Sequence, residues 1–315
     1  MASRGRVLVI GGCGFLGHHL VARLLREDTD VRVLDDLSSS SPKRLPPELP
    51  PSRFFRGDVA DRALLVEALK GVQTVVHLAW KDPGSAADAN ERLIANLRAE
   101  QELLTRAAEA GVSRLLQASS DSVYGSSGSP PFPENRLPSP RTLRGAAKLA
   151  AENLARPWAE RGDLDVAVLR FFDLYGPGDD RSGERPAMVV FAQEILKGGP
   201  PTVFGSGEQT RDYLHVDDAV EAIVRALERR LAAWTVVNVG SGVPTPTRDL
   251  AEKVSELLGR PDIEPVSVPE PPGLRPASFA DVRLARNLLG FQPRVPLEEG
   301  LARRDWIPAL PGNEG

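Results

Sequence analysis

The 315-residue sequence contains a single cysteine, Cys13, and no apolar run of the length that spans a membrane. One cysteine excludes a disulfide framework within the chain and is typical of a reducing compartment, so we expect a cytoplasmic protein. The formal net charge of -4 provides no basic field that would attract nucleic acid or an anionic membrane. The N-terminal residues also lack the apolar segment of a signal peptide.

The most informative stretch joins a strand pattern to three spaced glycines. Residues 7–10 are Val-Leu-Val-Ile, which predicts a strand buried on both faces, and an apolar-periodic helix follows. Gly11 permits a sharp turn, Gly14 lets a pyrophosphate approach the backbone, and Gly17 lets the helix pack closely on the strand. The helix start would present its amides and positive dipole end to the phosphates. The predicted dinucleotide site includes Gly11, Gly14, Phe15, Leu16 and Gly17.

A second strand pattern, residues 31–35, ends in Asp35. A carboxylate at this place in a dinucleotide-binding unit holds the two ribose hydroxyls of NAD and repels the 2′-phosphate of NADP. The glycine turn together with Asp35 therefore predicts NAD as the cofactor.

Strand and helix patterns alternate through residues 7–171. Because parallel strands need crossover connections, this alternation predicts an α/β fold with a Rossmann-type doubly wound parallel sheet. Past Gly176, proline, glycine and charged residues interrupt the pattern, and we expect a smaller C-terminal substrate-binding lobe. The NAD-binding domain is predicted at 1–172, with 213–240 returning to it, and the lobe at 173–212 and 241–315.

Other short motifs follow the glycine turn in a definite order along nearly the whole chain. They lie at residues 33–37, 57–59, 77–79, 96, 119–125, 170–177, 205–218, 238–242, 279–281 and 289–293. With these motifs the sequence resembles an extended short-chain dehydrogenase/reductase of the nucleotide-sugar epimerase/dehydratase kind. The resemblance implies an NAD-dependent enzyme that transiently oxidises the ring of a nucleotide-linked sugar. It also implies a homodimer formed through residues 90–110 and 145–161.

The resemblance assigns further residues to the cofactor, namely Asp36, Asp58, Val59, Leu78, Ala79, Asn96 and Lys148. Asp58 and Val59 would flank the adenine, and Ala79 would line the pyrophosphate and nicotinamide. Lys148 falls on the family's active-site lysine, which grips the nicotinamide ribose. For Asp58, a role in capping a turn is an open alternative.

Four residues are assigned to the substrate by the same resemblance, namely Ser120, Asp173, Arg211 and Arg275. Ser120 falls where the family has a serine or threonine that hydrogen-bonds the reacting sugar hydroxyl or carbonyl. Arg211 would contact the substrate diphosphate, an anion suited to a guanidinium fork, and Arg275 is assigned to the same group. An ion pair of Arg211 with Asp212 or Asp217 is the alternative.

One position departs from the family pattern in a way that affects catalysis. The family has a tyrosine one helical turn before the active-site lysine, where the lysine lowers the tyrosine's pKa so that it can act as a base. Here that position is Arg144, whose guanidinium does not act as a base near neutral pH. The chain's three tyrosines, Tyr124, Tyr175 and Tyr213, offer no obvious substitute.

Two acids are linked to this departure. Asp173 stands where the family usually has an asparagine that contacts the substrate. Arg144 and Lys148 are like charges one turn apart, which is unfavourable unless Asp173, a substrate carboxylate or a phosphate is near.

Asp121 matches the acid of the family's dehydratases, but the glutamate that follows it there is Ser122 here. Because dehydration needs both an acid and a base on the sugar, this half-match favours dehydration only faintly. The candidate catalytic residues are Ser120, Asp121, Arg144, Lys148 and Asp173.

Three functions compete on this sequence, and none calls for a metal. The leading hypothesis is an NAD-dependent epimerase or dehydratase of a UDP- or dTDP-sugar with a non-standard proton-transfer group. The second is a catalytically silent protein that binds NAD and a nucleotide sugar. The missing tyrosine supports it, whereas the intact Ser120, Lys148 and Arg211 oppose it. The third, a ketoreductase of small metabolites, would use NADPH more often, and Asp35 disfavours that cofactor.

Overall fold

The computed structural model of the protein describes residues 5–82, 88–125, 128–179, 186–271 and 274–307. The strands are β1 (Arg6–Ile10), β2 (Asp30–Asp35), β3 (Phe54–Arg56), β4 (Thr74–His77), β5 (Arg114–Ser120), β6 (Asp165–Phe171), β7 (Asp173–Tyr175), β8 (Thr202–Phe204), β9 (Thr210–Arg211), β10 (Tyr213–His215), β11 (Trp234–Val239), β12 (Thr245–Pro246) and β13 (Val266–Val268). The helices are α1 (Phe15–Arg26), α2 (Arg62–Leu69), α3 (Ala89–Glu109), α4 (Leu143–Glu160), α5 (Ala187–Leu196), α6 (Val216–Glu228), α7 (Thr247–Leu257), α8 (Arg283–Leu289) and α9 (Leu297–Ala302).

The main sheet has seven strands in the order β11-β6-β5-β4-β1-β2-β3, all paired in parallel. β1 lies inside it, and residues 7–10 are fully buried because helices cover both faces. The predicted α/β fold with a doubly wound parallel sheet is confirmed. The strand order reverses between β1 and β4, and in such sheets ligands bind at the carboxyl ends of the strands beside this point.

Two helical layers cover the sheet, one on each face. Successive side chains of a strand point to opposite faces, so Val7 and Val9 face α1 and α6, whereas Leu8 and Ile10 face α2, α3 and α4. The strand that carries the glycine turn is therefore held from both sides, which fixes the position of the turn.

The strands and helices predicted by pattern are confirmed to within a few residues. Asp61 caps α2, since its carboxylate accepts a hydrogen bond from Leu64 N at 3.1 Å. The strands β7, β9, β10 and β12 were not predicted. They contain two or three residues each. Strands this short have too few residues to show the alternation of apolar and polar side chains by which a strand is predicted.

A separate apolar cluster lies among α5, α7 and α9 and includes Met188, Leu250 and Trp306. The chain returns from this region to the main sheet, where β11 pairs with β6. Part of the stretch 241–315, predicted as lobe, differs from expectation because α8 packs on β11 and α6 through Ala285 and Leu289. An amphipathic pattern predicts which face of a helix is buried, but it does not predict which strand or helix that face packs against.

Across the described ranges, no helix is both long enough and apolar enough to cross a membrane.

Candidate cofactor and substrate site

The glycine turn lies at the carboxyl end of β1, beside the point where the strand order reverses. Gly11 has a φ of +80°, and a Cβ there would lie 2.6 Å from the backbone nitrogen of Ala79. A Cβ on Gly17 would overlap the Gly11 carbonyl oxygen, whereas one on Gly14 would meet only that oxygen, at 3.3 Å. The N-cap of α1 is Gly14, which has no side chain of its own, and the positive dipole end of the helix lies at the turn. The turn fits a pyrophosphate.

Asp35 lies against this turn and is 6% exposed. Its carboxylate accepts hydrogen bonds of 2.9 Å from Cys13 N, Leu37 N and Ser40 Oγ. A carboxylate has about four acceptor positions, so these contacts leave one for a ribose hydroxyl. Burial and then the charge of Asp35 raise the pKa of the Cys13 thiol to about 12, which makes a redox role for it unfavourable.

Asp36 and Asp58 follow the carboxyl ends of β2 and β3, and Lys81 lies between them. The Lys81 ammonium is 2.5 Å from Asp58 Oδ2 and 3.2 Å from Asp36 Oδ2. Asp58 Oδ1 also accepts a hydrogen bond from Ala60 N at 2.9 Å. Asp58 therefore caps this turn as well as pairing with Lys81. Lys81 was not predicted, although it closely follows the motif at 77–79.

The other predicted cofactor residues lie around the same crevice. The amides of Leu78 and Ala79 both donate to the carbonyl of Ile10, at 2.9 and 3.1 Å, which places them beside the glycine turn. Val59 is buried in the apolar core. Asn96 is turned to the protein, because its side-chain amide binds the backbone N–H and carbonyl of Lys81 at 2.9 and 2.7 Å.

Lys148 extends from α4 to the carboxyl end of β5 and is 8% exposed. Its Nζ donates to the Ala118 carbonyl at 2.8 Å and lies 3.9 Å from the centre of the Trp80 ring. Burial, and then the positive charge of Arg144, lower the pKa of Lys148 to about 7, while nearby acids oppose this shift. A large share of this lysine is therefore a neutral amine at neutral pH, and a neutral amine can accept a proton.

Arg144 lies one turn before Lys148 on α4, as predicted. Its Nη1 is 3.5 Å from Asp82 Oδ2, so an anion that offsets the two like charges is present on the protein. The charge of the Arg144 guanidinium also acts to lower the pKa of the Asp173 carboxyl. Arg144 therefore influences both groups that titrate in the crevice.

The three tyrosines lie in structural contacts. Tyr124 OH accepts a hydrogen bond from Arg170 at 3.0 Å, Tyr175 packs edge-on against His215, and Tyr213 lies opposite Asp173 in the strand pair β7–β10. Burial is the main cause that raises the pKa of each of them. A tyrosine with a raised pKa is a phenol at neutral pH and cannot take up a proton as a base.

Ser120 and Asp121 lie at the carboxyl end of β5. Asp121 Oδ2 accepts from Arg275 Nη2 at 2.7 Å and from Ser278 Oγ at 2.6 Å, and Ser120 Oγ donates to Asp121 Oδ1 at 3.2 Å. Burial acts to raise the pKa of Asp121, but the charge of Arg275 and these hydrogen bonds outweigh it, so the pKa lies below its ordinary value. Arg275, which the resemblance assigns to the substrate diphosphate, is an ion-pair partner of Asp121 in the structure.

Asp173 begins β7 in the same crevice. Burial, and then the negative charge of Asp121, raise the pKa of Asp173 to about 6, although the charge of Arg211 opposes this. Asp121 therefore stays ionised near neutral pH, whereas Asp173 takes up a proton once the pH falls towards 6.

Arg211, in β9, donates from Nη1 to the carbonyl of Arg275 at 3.0 Å. The alternative ion pairs do not form, because Asp212 accepts hydrogen bonds from backbone amides and Asp217 pairs with Arg303 at 2.9 Å. Within the described residues, the hydrogen bonds of Arg211 use a single guanidinium nitrogen, so the remainder of the fork suits a diphosphate.

Three residues of the crevice were missed by the sequence reasoning, namely Trp80, Lys81 and Ser278. The first two directly follow the motif at the end of β4, and that position is a usable signal for them. Ser278 contacts Asp121 across 157 residues of sequence, and no spacing reveals such a contact. In the part of the chain that the structure describes, no three His, Cys, Asp or Glu side chains are grouped to hold a metal ion.

Comparisons with known proteins agree with this geometry. Residues 7–240 match the model of the NAD dependent epimerase/dehydratase family. A UDP-glucose 4-epimerase of Mycolicibacterium smegmatis is 34% identical over 311 residues, which cover 95% of this chain and 96% of that protein.

Solved structures are similar over the same extent. The UDP-glucose 4-epimerase of Thermus thermophilus, in complex with NAD, has a TM-score of 0.83 and 31% identity over 94% of this chain and 96% of that one. A dTDP-glucose 4,6-dehydratase of Streptomyces venezuelae, with NAD bound, has a TM-score of 0.83 and 30% identity over 95% of both chains. The chain therefore belongs to the NAD-dependent epimerase/dehydratase family, as the sequence predicted, and NAD is the cofactor of that family.

Proposed function

We propose that this protein is an NAD-dependent 4-epimerase of a UDP- or dTDP-linked sugar in which Lys148 replaces the family's tyrosine as the proton-transfer group. The observation that carries the proposal is a buried lysine at the carboxyl end of β5 whose pKa is lowered to about 7. In the usual family arrangement a lysine lowers the pKa of a tyrosine. Here the charge of Arg144 lowers the pKa of Lys148. The arginine therefore supplies the positive charge at the tyrosine position, and the lysine becomes the base.

The glycine turn and Asp35 would hold NAD, which would supply a hydride acceptor for C4 of the sugar and then a hydride donor to the opposite face of that carbon. As the hydride leaves, the neutral Lys148 amine takes the proton of the 4-hydroxyl and becomes an ammonium. Ser120 would turn its hydroxyl hydrogen from Asp121 Oδ1, 3.2 Å away, to the same sugar oxygen and so stabilise the negative charge that develops on it. The ammonium then returns the proton to O4 when the hydride comes back, so that protons and electrons balance over the cycle.

The state of Asp121 favours epimerisation over dehydration. Elimination of water from the sugar needs an acid that protonates the leaving hydroxyl. The charge of Arg275 and the Ser278 hydrogen bond hold the pKa of Asp121 below its ordinary value despite burial, so this carboxylate has no proton to give at neutral pH. Asp173, with a pKa of about 6, is the second group that can hold a proton, and it would bind a sugar hydroxyl.

The purified protein, incubated with UDP- and dTDP-hexoses in deuterated water, tests this function. Proton NMR should show interconversion of C4 epimers without deuterium at carbon, because the C4 hydrogen never exchanges with solvent. A dehydratase would instead release water and incorporate deuterium into the product. Lys148→Met should abolish turnover, whereas Lys70→Met, at an exposed lysine, should leave it unchanged.

The alternative is a catalytically silent protein that binds NAD and a nucleotide sugar. It is supported by Arg144 at the tyrosine position and by the mutual engagement of Asp121 with Arg275 at 2.7 Å. Tight binding of NAD and of UDP- or dTDP-sugars, measured by calorimetry, with no NMR change on any sugar would favour it. Conversion of even one sugar would rule it out.

We also propose a homodimer that forms through α3 and α4, which pack side by side. Ile94 on α3 and Leu154 on α4 are 47% and 38% exposed, and exposed apolar residues on adjacent helices fit a helical interface. The cytoplasmic location expected from the single cysteine stays a prediction.

A further inference from the structure

The ammonium of Lys81 lies outside the reaction centre and contacts two carboxylates. It forms ion pairs with Asp36, after β2, and with Asp58, after β3. These two acids belong to neighbouring strands of the sheet, whereas Lys81 comes from the loop after β4 on the other side of β1. The lysine therefore crosses over the carboxyl end of β1, where the cofactor crevice lies.

The backbone of Lys81 is held independently of its side chain. The Asn96 amide accepts from Lys81 N at 2.9 Å and donates to Lys81 O at 2.7 Å, and Asn96 itself is 7% exposed on α3. The backbone of Lys81 is thus held by a buried amide, and its ammonium is held by two carboxylates. Such a side chain is not a freely solvated surface lysine.

The charges of Lys81 and Asp36 preserve their ion pair near neutral pH. The hydrogen bond to Asp58 is the largest cause that raises the pKa of Lys81, and burial opposes it. For Asp36, hydrogen bonds from Ser38 and Lys81 lower the pKa against the effect of burial. Lys81 and Asp36 are therefore ionised across the physiological range, and this ion pair needs no ligand to be charged.

We propose that Lys81 is a further residue of the cofactor site, and that its ion pairs with Asp36 and Asp58 close over the adenosine half of NAD and retain it. The proposal concerns NAD binding alone and does not depend on which sugar the protein uses. NAD can enter or leave only when the ion pairs open. Lys81 therefore slows exchange in both directions.

Cofactor exchange in the holoprotein tests this role. Radiolabelled NAD is loaded, excess unlabelled NAD is added, and retained label is followed by rapid gel filtration. In Lys81→Met we expect release about tenfold faster than in the natural protein, since two partly exposed ion pairs are lost. Association should also be faster, because no crossing has to open, and Lys81→Arg should keep most of the slow release.

Lys70→Met is the matched control, because it removes an exposed lysine that pairs with the nearby Glu67, and it should leave both rates unchanged. Slower association with unchanged release in Lys81→Met would overturn the proposal, because that result means simple attraction of an anionic ligand. Unchanged rates in both directions would overturn it as well.

The salt dependence of the natural protein gives a second readout that needs no variant. The Lys81, Asp36 and Asp58 side chains are 36%, 26% and 42% exposed, so added salt screens the ion pairs. Release of NAD should accelerate as salt is raised, and this acceleration should vanish in Lys81→Met. Release that does not depend on salt would contradict retention by ion pairs even if the variant failed to fold.

Discussion

At the scale of single residues, the site is defined by charges that change the protonation of their neighbours. Lys148 and Asp173 titrate near neutral pH because they are buried, and each has a like-charged neighbour, Arg144 or Asp121. Both shifts favour the neutral form of the group. A crevice in which a lysine has a substantial neutral fraction at pH 7 can exchange a proton with a sugar without a tyrosine.

Arg144→Gln should move the pH profile of the enzyme. Removal of the guanidinium takes away a charge that lowers the pKa of Lys148, so that pKa rises and the neutral amine becomes rarer at a given pH. Because activity needs the neutral form, the acid limb of kcat/KM should move to higher pH, with roughly threefold less activity at pH 6. Profiles of kcat/KM from pH 5 to 9 measure this shift.

Arg141→Gln is the matched control, because Arg141 lies just ahead of α4 and is exposed. Its profile should coincide with that of the natural protein. An acid limb that stays in place in Arg144→Gln, or that moves to lower pH, would exclude the proposed influence of Arg144 on Lys148.

At the scale of elements, the unit of β1, the glycine turn and α1 is the most rigidly specified part of the site. Its residues are contiguous, and Gly11 and Gly17 have a local steric reason, since an added Cβ would clash with the backbone of Ala79 or of Gly11. A strand that is buried on both faces followed by glycines at these spacings was sufficient to predict the turn and its ligand class. The prediction succeeded because the relevant contacts all lie within one strand, one turn and one helix.

Gly17→Ala should disrupt this unit. A Cβ at this position would overlap the Gly11 carbonyl, so α1 must move away from β1 at a cost of about 1–3 kcal/mol in the free energy of unfolding. The displaced helix start would also weaken NAD binding. Urea unfolding and calorimetric titration with NAD measure the two effects.

Gly199→Ala serves as its control. Gly199 has no strained φ, and its nearest neighbour to an added Cβ is the Glu194 carbonyl at 3.6 Å. Its unfolding free energy should stay within about 0.5 kcal/mol of the natural value. If Gly17→Ala were equally mild, close packing of α1 on β1 would not be the reason for this glycine.

At the scale of the whole molecule, the seven-stranded sheet and its two helical layers bring the ends of β2, β3, β4 and β5 to one edge. Most of the predicted cofactor residues lie along this edge or in the glycine turn. The substrate side is built differently, since short strands such as β7, β9 and β10 carry Asp173, Arg211 and Tyr213. These short strands are distant in sequence, and only the topology of the fold brings them together.

Ile94→Glu should convert the proposed dimer to a monomer. Ile94 is 47% exposed on α3, so the charge does not disturb a core, but in a symmetric interface it introduces two like charges in an apolar contact. Sedimentation equilibrium at micromolar concentrations should give the mass of a monomer. Leu288→Glu, at a residue 40% exposed on α8, should remain dimeric, and a natural protein that is already monomeric would refute the interface.

Local sequence determined the cofactor half of this protein: the buried strand, the glycine turn, Asp35 and the order of strands and helices. These features depend on neighbours in the chain, so patterns of side-chain size and polarity report them directly. Only the tertiary structure decided the charge states of Lys148, Asp121 and Asp173 and the placement of Lys81. Each of these depends on burial and on charges from distant segments, and a pKa or an ion pair is set by distance in space, which the spacing of residues along a chain does not record.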